Sequence, residues 1–348
     1  MYRIIIELEG GTGNQLFQIM ACYSLAKSFG RMPYYTFKSL GCNRELEIES
    51  VADLLGIKRI DYDIVNKKII LYENDLNHPA LYSNFPEMSL LPNEDIVIKG
   101  YFENYRLHRK SAVEKLRRFA DISSKSIFEN NEIFIAVHLR ELKGTSNNMP
   151  LKNVDNLSLT YYARSISIIK NLLKDSSHKN IKNVLLFSDT FKDLTNSLLY
   201  KPVKELFVSN GFNIINGDNL CKDCIQVINL MSRASYIVIS NSTFSWWGAY
   251  LGNKIVISPI LSLWETNLKT PDSWIQVNDG NLYPITWHGD NIFNAPRFHL
   301  TSKVRFLPRL IRKIISKSRI FRKIYFLLRH QFRIFTKHSS KLKILINR

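Results

Sequence analysis

The chain has 348 residues, 45% of them hydrophobic, which is enough for two domains with separate cores. Its four cysteines are too few for the disulfide framework of a small secreted domain. The formal net charge of +18 lies at one end, because residues 291–348 hold 16 of the 48 Lys and Arg and leave 32 basic against 30 acidic side chains in residues 1–290. This nearly neutral body argues against a protein that binds DNA or RNA through its folded domains.

The first predicted unit is a strand, a glycine turn and a helix. Residues 2–8 are rich in β-formers, residues 10–13 form the turn, and apolar side chains recur at helical spacing over residues 14–29. Glycines let a backbone approach a ligand closely, and N–H groups at a helix start attract anions. The turn lacks the third glycine and the later acidic residue of a dinucleotide-binding motif, which disfavours a dehydrogenase.

Strands and helices alternate along the rest of the chain. A strand over residues 95–99 leads into Gly100 and a basic helix that runs to about residue 118. The later predicted strands cover 133–137, 183–187, 212–215, 236–240 and 254–258, and the helices between them cover 159–173, 194–208, 223–232 and 245–251. Such alternation predicts parallel, doubly wound sheets whose ligands bind beyond the carboxyl ends of the strands.

Two polar segments follow these later strands. His138 and Arg140 lie two residues apart at a strand end and therefore point the same way. Arg140 is suited to neutralise a diphosphate through forked hydrogen bonds, although without other motifs a surface arginine beside a hydrogen-bonded histidine is the simpler interpretation. Residues 240–249 bring hydroxyls and an amide to a helix start, where they would suit an anion.

Two further residue pairs have ordinary explanations. Cys221 and Cys224 have the spacing of half a zinc site, but no second half accompanies them, and we expect plain thiols. Trp246 and Trp247 are assigned mainly to packing, since paired tryptophans are more often core than a ligand platform.

Seven motifs of the chain occur in a characteristic order. They are Gly11-x-Gly13-Asn14-Gln15-Leu16-Phe17-Gln18, Gly100-Tyr101-Phe102, His138-x-Arg140, Tyr161-Tyr162-Ala163, Phe187-Ser188-Asp189, Leu230-Met231-Ser232 and Asn241-Ser242-Thr243-Phe244-Ser245-Trp246-Trp247-Gly248-Ala249. In this order the chain resembles the family 11 glycosyltransferases, the bacterial α-1,2-fucosyltransferases, over about residues 4–278. The resemblance implies an α/β fold of glycosyltransferase-B type, with two Rossmann-like domains facing a cleft. We assign residues 1–125 to the acceptor-side domain, 126–300 to the GDP-sugar-binding domain and 301–348 to a basic amphipathic helical tail.

The same resemblance implies inverting transfer of L-fucose from GDP-β-L-fucose to a hydroxyl, such as the 2-hydroxyl of a galactose-type residue in a cell-surface glycan or its lipid-linked precursor. It assigns Arg140 and His138 to catalysis. The residues expected to bind the GDP-sugar are Gly11, Gly13, Asn14, Gln15, Arg140, Asp189, Asn241, Ser242, Thr243, Phe244 and Ser245. No metal or other cofactor is expected. The base that takes the acceptor proton stays open among His138, Glu9, Glu103 and Asp189, and Asp189 is also a candidate to bind guanine.

The motif around Arg140 departs from the family pattern. Where the family usually continues His-x-Arg with a second arginine, a glycine and an aspartate, this chain has Glu141, Leu142 and Lys143. The donor could therefore be another GDP-deoxysugar, such as GDP-colitose. A non-catalytic basic protein that binds membranes or glycans is a further alternative.

The tail carries the excess charge. Residues 303–348 contain fifteen Lys and Arg and no acidic residue, and apolar side chains recur there at helical spacing. This predicts a helix on the anionic inner leaflet, with a helix packed on the enzyme body as the alternative. Because the sequence shows neither a leader segment nor an apolar run of ~20 residues, we expect a cytoplasmic protein, peripheral on the inner face of the cytoplasmic membrane.

Overall fold

A computed structural model describes residues 2–37, 48–61, 68–72, 94–125, 133–140, 157–174, 176–188, 199–260 and 270–277. These residues form two parallel β-sheets with helices between and around them. The predicted α/β class with two Rossmann-like parallel sheets is confirmed. The predicted tail and the predicted domain boundaries at 125 and 300 stay predictions, since the tail lies outside the described residues.

The first sheet has five parallel strands in the order β3-β2-β1-β5-β4. The strands are β1 (Arg3–Leu8), β2 (Met32–Phe37), β3 (Lys58–Arg59), β4 (Lys68–Tyr72) and β5 (Asp95–Lys99). The isoleucines of β1 from Ile4 to Ile6 are all fully buried. An unbroken apolar run of this kind is typical of a central parallel strand, because both of its faces are covered.

The second sheet has six parallel strands in the order β11-β10-β9-β6-β7-β8. They are β6 (Ile135–Leu139), β7 (Asn183–Ser188), β8 (Asn213–Asn216), β9 (Tyr236–Val238), β10 (Ile255–Pro259) and β11 (Ile275–Val277). The five strands predicted here are observed as β6 to β10, whereas β11 was not predicted. In the first sheet β2, β3 and β4 were not predicted.

Seven α-helices accompany the sheets in the described part of the chain. They are α1 (Thr12–Ser28), α2 (Glu49–Leu55), α3 (Lys110–Lys125), α4 (Leu159–Lys174), α5 (Tyr200–Ser209), α6 (Cys224–Arg233) and α7 (Thr243–Gly252). Helix α7 begins two residues before the predicted start, because Ser242 caps it by accepting a hydrogen bond from the Phe244 N–H. The predicted helix over 194–208 is observed as α5, and residues 194–198 lie outside the described residues.

One shared core joins α1 and α3 of the first half to α6 and α7 of the second. Its centre is aromatic: the ring of His108 stacks on Trp247 with centroids 5.1 Å apart, and Phe17 lies 4.8 Å from Trp246 and 4.9 Å from Trp247. Trp246 and Trp247 are both fully buried, as their assignment to packing predicts. Helices α4 and α5 cover the other face of the second sheet with a separate core. The starts of α1 and α7 are thereby fixed against each other.

Candidate functional site

The glycine turn and the polar segment before α7 meet at the starts of their two helices. A Cβ added to Gly13 would lie 2.5 Å from the backbone nitrogen of Phe244 and 2.6 Å from the carbonyl carbon of Thr243. Only glycine permits so close an approach of backbone to backbone. The hydroxyl of Thr243 donates to Asn14 Oδ1 at 2.6 Å, and the indole N–H of Trp247 donates to the Gly13 carbonyl at 3.0 Å. Four residues predicted to bind the GDP-sugar are thus in one place.

Both helix starts are suited to an anion. Helix α1 has Gly11 as its N-cap, with no side-chain hydrogen bond to its first turn. The first-turn N–H groups of a helix have no partner within the helix and form the positive end of its dipole. Helix α7 begins beside the start of α1, with Ser242 as its cap. A phosphate bound here would face two helix N-termini, which is an established way of holding this group.

Arg140 adds a full positive charge beside the start of α7. It follows strand β6 and is partly exposed, and its guanidinium donates to the backbone carbonyl of Asn241. That bond uses one of the five N–H groups of an arginine side chain, which leaves others to reach a ligand. The charge and the helix start together form a site of positive potential at the carboxyl end of the second sheet.

His138 lies behind this site and not on its surface. Its side chain is fully buried, its Nδ1 is 2.7 Å from Ser240 Oγ, and its ring lies 5.6 Å from that of Phe244. Burial, together with the nearby charge of Arg140, lowers the pKa of His138 to about 3. Its Nε2 has no hydrogen-bond partner among the residues that the structure describes. A neutral, water-excluded imidazole is suited to holding the segment before α7 in place.

Three predicted ligands serve the local structure. Ser245 is fully buried, and its hydroxyl donates to the carbonyls of Ser242 at 3.2 Å and Ser240 at 3.4 Å. The Ser242 hydroxyl accepts from Phe244. Gln15 is also fully buried, and its Nε2 donates to the Gly10 carbonyl at 3.1 Å. These side chains shape the two helix starts, and a direct contact with a ligand stays a prediction for each of them.

The carboxyl edge of the first sheet carries a second polar group of residues. Tyr101 is 42% exposed, and burial of the rest of its side chain raises the pKa of its phenol, as do the nearby carboxylates of Glu9 and Glu103. Glu9 follows β1, whereas Tyr101 and Glu103 follow β5. Two of the predicted base candidates therefore lie close to one aromatic ring at the edge where parallel sheets bind ligands.

The remaining predicted residues lie outside the described part of the chain. Asp189, Glu141 and Lys143 are among them, and their roles stay predictions. Ser188, which precedes Asp189, is described: its N–H and hydroxyl donate to the buried carboxylate of Asp218 at 3.1 and 2.8 Å. Asp218 therefore fixes the end of β7, a role that sequence reasoning missed.

Within the described residues, no group of three or more His, Cys, Asp or Glu side chains could hold a metal ion. Cys221 and Cys224 are buried free thiols, and burial raises the pKa of Cys221 to about 12, with nearby Asp218 adding to the shift. One Asp-x-Asp spacing, Asp61-Tyr62-Asp63, follows β3, and only Asp61 is described. The expectation of a metal-free reaction is not tested by these observations.

Other functional contacts were missed for a simple reason. Gln18 was quoted in a motif without a role, and Trp247 was assigned only to packing, because the partners of their polar atoms come from distant parts of the chain. Ser240 was seen only as one hydroxyl of a polar run, while its partner is His138, 102 residues away. No spacing in the sequence indicates such pairs.

Comparisons with known proteins place the chain near glycosyltransferases. It is 23% identical over 313 residues to the O-antigen biosynthesis glycosyltransferase WbnK of Escherichia coli. The aligned region covers 78% of this chain and 99% of that protein. It is 26% identical over 306 residues to an alpha-1,2-colitosyltransferase of Escherichia coli, covering 79% of this chain and 98% of that protein. No family model matches, so membership of the family suggested by the motifs stays a prediction.

Similar solved structures include the fucosyltransferase NodZ from Bradyrhizobium, with a TM-score of 0.39 and 14% identity over 72% of this chain and 93% of that chain. POFUT1 in complex with GDP is similar with a TM-score of 0.41 and 12% identity, over 80% of this chain and 98% of that chain. Among the helices that the structure describes, none combines the length and hydropathy needed to cross a membrane.

Proposed function

We propose that the protein is an inverting glycosyltransferase that moves L-fucose, or a closely related deoxysugar, from its GDP derivative to a glycan hydroxyl. One observation carries the proposal: the starts of α1 and α7 meet at Gly13 and Phe244, next to the guanidinium of Arg140. Similarity to two glycosyltransferases over more than three quarters of the chain supports the same reaction class.

The diphosphate of the donor would lie between Arg140 and the start of α7. In the reaction the bond between the anomeric carbon and the phosphate oxygen breaks, and the acceptor oxygen bonds to the opposite face of that carbon. Negative charge then develops on the GDP leaving group. Fixed N–H groups and a guanidinium aimed at such charge lower the barrier, because they need no reorganisation during the reaction. In this proposal they supply the charge stabilisation that a divalent metal would otherwise provide.

The acceptor proton needs a base, and the described geometry favours one of the two carboxylates beside Tyr101. Glu9 and Glu103 follow β1 and β5 at the carboxyl edge of the first sheet. His138 is less suited to this role, because it is fully buried and its pKa is near 3. In our proposal the acceptor therefore approaches from the first sheet, while the donor is held by the second.

Within the class of GDP-deoxysugars, two donors deserve a direct comparison. The ordered motifs favour GDP-fucose, whereas the similarity to an alpha-1,2-colitosyltransferase favours GDP-colitose. The acceptor is proposed to be a galactose-type residue of an O-antigen or of its lipid-linked precursor, by analogy with the O-antigen enzyme WbnK.

The proposal is tested by measuring GDP release from GDP-fucose, GDP-colitose and GDP-mannose. Each donor is assayed with and without a galactose-terminated oligosaccharide, and with and without EDTA. We expect release from at least one of the two deoxysugar donors, stimulated by the acceptor and retained in EDTA. No release from either deoxysugar donor would overturn the proposed reaction. Activity that is lost in EDTA and restored by Mn²⁺ would overturn only the metal-free mechanism.

We further propose that residues 301–348 hold the protein at the inner face of the cytoplasmic membrane, close to lipid-linked acceptors. The support is the sequence alone: fifteen basic and no acidic residues between positions 303 and 348, with apolar side chains at helical spacing. Each basic residue near an anionic leaflet contributes about 1 kcal/mol, so a handful that bind together would suffice.

A further inference from the structure

Gln18 is a buried amide side chain for which the proposed reaction gives no role. It lies on α1, is fully buried, and belongs to the motif that follows the glycine turn. Its Oε1 accepts a hydrogen bond from the backbone N–H of Glu9 at 3.1 Å, and its Nε2 donates to the backbone carbonyl of Gly100 at 2.9 Å. Both ends of one amide therefore bind the main chain of two loops that are 91 residues apart in the sequence.

These two loops follow the point at which the backbone pairing of β1 with β5 stops. The parallel pairing of β1 with β5 ends at Ile6 and Ile98, and Glu9 and Gly100 lie just beyond. Neighbouring strands normally diverge after their last pair, because no further backbone bonds hold them. The Gln18 side chain inserts between the two chains and extends their connection beyond the ladder.

The connected loops have backbone conformations that need such support. Gly100 has φ +144°, and the next residue but one, Phe102, is a buried non-glycine residue with φ +53°. A bulky side chain at positive φ persists only where the surrounding structure holds it. Between them stands Tyr101, whose phenol lies near the carboxylates of Glu9 and Glu103.

We propose that Gln18 is a positioning residue for the acceptor half of the site: it sets Glu9 and Tyr101 at a fixed separation by joining the ends of β1 and β5. It does not touch a substrate, and it acts through the two loops that it joins. The inference rests on the proposed function for its consequence in catalysis, while the hydrogen bonds that carry it are independent of that function.

The consequence is a separation of effects on the two substrates. The donor side is built from Arg140 and the starts of α1 and α7, whereas the hydrogen bonds of Gln18, which lies farther along α1, go to Glu9 and Gly100. Loss of the amide should therefore weaken use of the acceptor and spare the donor. A displacement of about 1 Å in a reacting group lowers rates by up to about a hundredfold.

The test compares wild type with Gln18→Met, which keeps the length of the side chain and removes both hydrogen bonds. We expect acceptor kcat/KM to fall about 10- to 100-fold, while the KM for the GDP-sugar and the slow hydrolysis of the donor without acceptor change less than about twofold. The matched control is Gln276→Met, an exposed glutamine on β11 whose Nε2 binds Thr270. An unchanged acceptor kcat/KM would overturn the inference, and so would an equal loss in acceptor use and donor hydrolysis, which would indicate a merely structural role.

A second variant keeps the inference testable if Gln18→Met does not fold. In Gln18→Glu the protonated carboxyl can accept from Glu9 and donate to Gly100, whereas the ionised form cannot donate. Burial raises the pKa of such a carboxyl, so its acceptor kcat/KM relative to wild type should recover as pH falls. A ratio independent of pH would contradict the positioning role.

Amide hydrogen exchange supplies a readout that does not depend on activity. The Glu9 N–H should exchange faster in Gln18→Met than in wild type, because the methionine side chain cannot accept its hydrogen bond, and unchanged exchange would overturn the inference. If wild type itself neither transfers nor hydrolyses any GDP-sugar, the proposed function fails, and the exchange result still decides whether Gln18 joins the two loops.

Discussion

The contact between the starts of α1 and α7 is most directly perturbed by Gly13→Ala. The added methyl group would lie 2.5 Å from the Phe244 nitrogen and 2.7 Å from the Thr243 hydroxyl, about 1 Å inside ordinary contact distance. Because two of the atoms that it meets are backbone, the helices must move apart. The hydrogen bonds from Thr243 to Asn14 and from Trp247 to the Gly13 carbonyl lengthen with that movement.

The magnitude follows from three contributions. Overpacking of a rigid site costs about 1–3 kcal/mol, the strained hydrogen bonds about 1 kcal/mol, and the better helix propensity of alanine returns about 1 kcal/mol. We therefore expect a net loss of about 2 kcal/mol, which lowers the Tm of a chain of this size by about 3 °C. Transfer activity at a temperature where the variant is folded should fall at least about tenfold, because the anion site loses its shape.

The assay is thermal unfolding together with GDP release at 20 °C. The matched control is Gly211→Ala, where no atom lies within 4 Å of the added methyl and only the positive φ of +88° opposes the change. That control should lose about 1 kcal/mol of stability and keep full activity. Wild-type activity in Gly13→Ala would refute the idea that this contact shapes the donor site.

Three further predictions concern charge. Arg140→Ala should fold and lose about 10²–10³-fold in turnover, measured by GDP release. Its control, Arg118→Ala on the exposed face of α3, should behave as wild type, and equal turnover in the two variants would refute the donor-site assignment. Burial holds the pKa of His108 at about 3, whereas the pKa of a histidine in the unfolded chain is ~6.5. Below about pH 6.5 the unfolded state therefore binds a proton that the folded state does not, and the stability of the fold decreases as the pH falls. Between pH 7 and pH 5, His108→Phe should therefore lose about 2 kcal/mol less stability than wild type. The same pH dependence of Tm in both proteins would contradict this. Truncation after residue 295 should abolish sedimentation with anionic vesicles but preserve transfer to a soluble acceptor, and equal vesicle binding by both chains would refute the membrane role of the tail.

The class of fold could be predicted from the sequence because parallel sheets leave strong local signals. The buried isoleucines of β1 and the alternation of strands and helices after residue 133 are of this kind. Strands β2, β3 and β4 were missed, since β3 has only two residues and β2 contains a proline. Short or mixed strands are defined by their neighbours in the sheet, which a local pattern does not reveal.

The candidate site could be predicted in part for the same reason. Glycine turns and capping residues have local signatures, so Gly13 and Ser242 were identified from the sequence, and the structure places both at helix starts. The function of a buried amide depends on its partners, and no local pattern indicated that Gln18 would reach Glu9 and Gly100. His138 was predicted as a catalytic residue because the His138-x-Arg140 motif resembles that of a glycosyltransferase family, yet its burial is a property of the tertiary fold.

The central claim is that the donor diphosphate lies between Arg140 and the start of α7. A crystal structure of the protein with bound GDP tests this most directly. Our account predicts that the diphosphate oxygens accept hydrogen bonds from the Arg140 guanidinium and from the Thr243 N–H in the segment 242–244. GDP bound with its diphosphate away from both Arg140 and this segment would contradict the account.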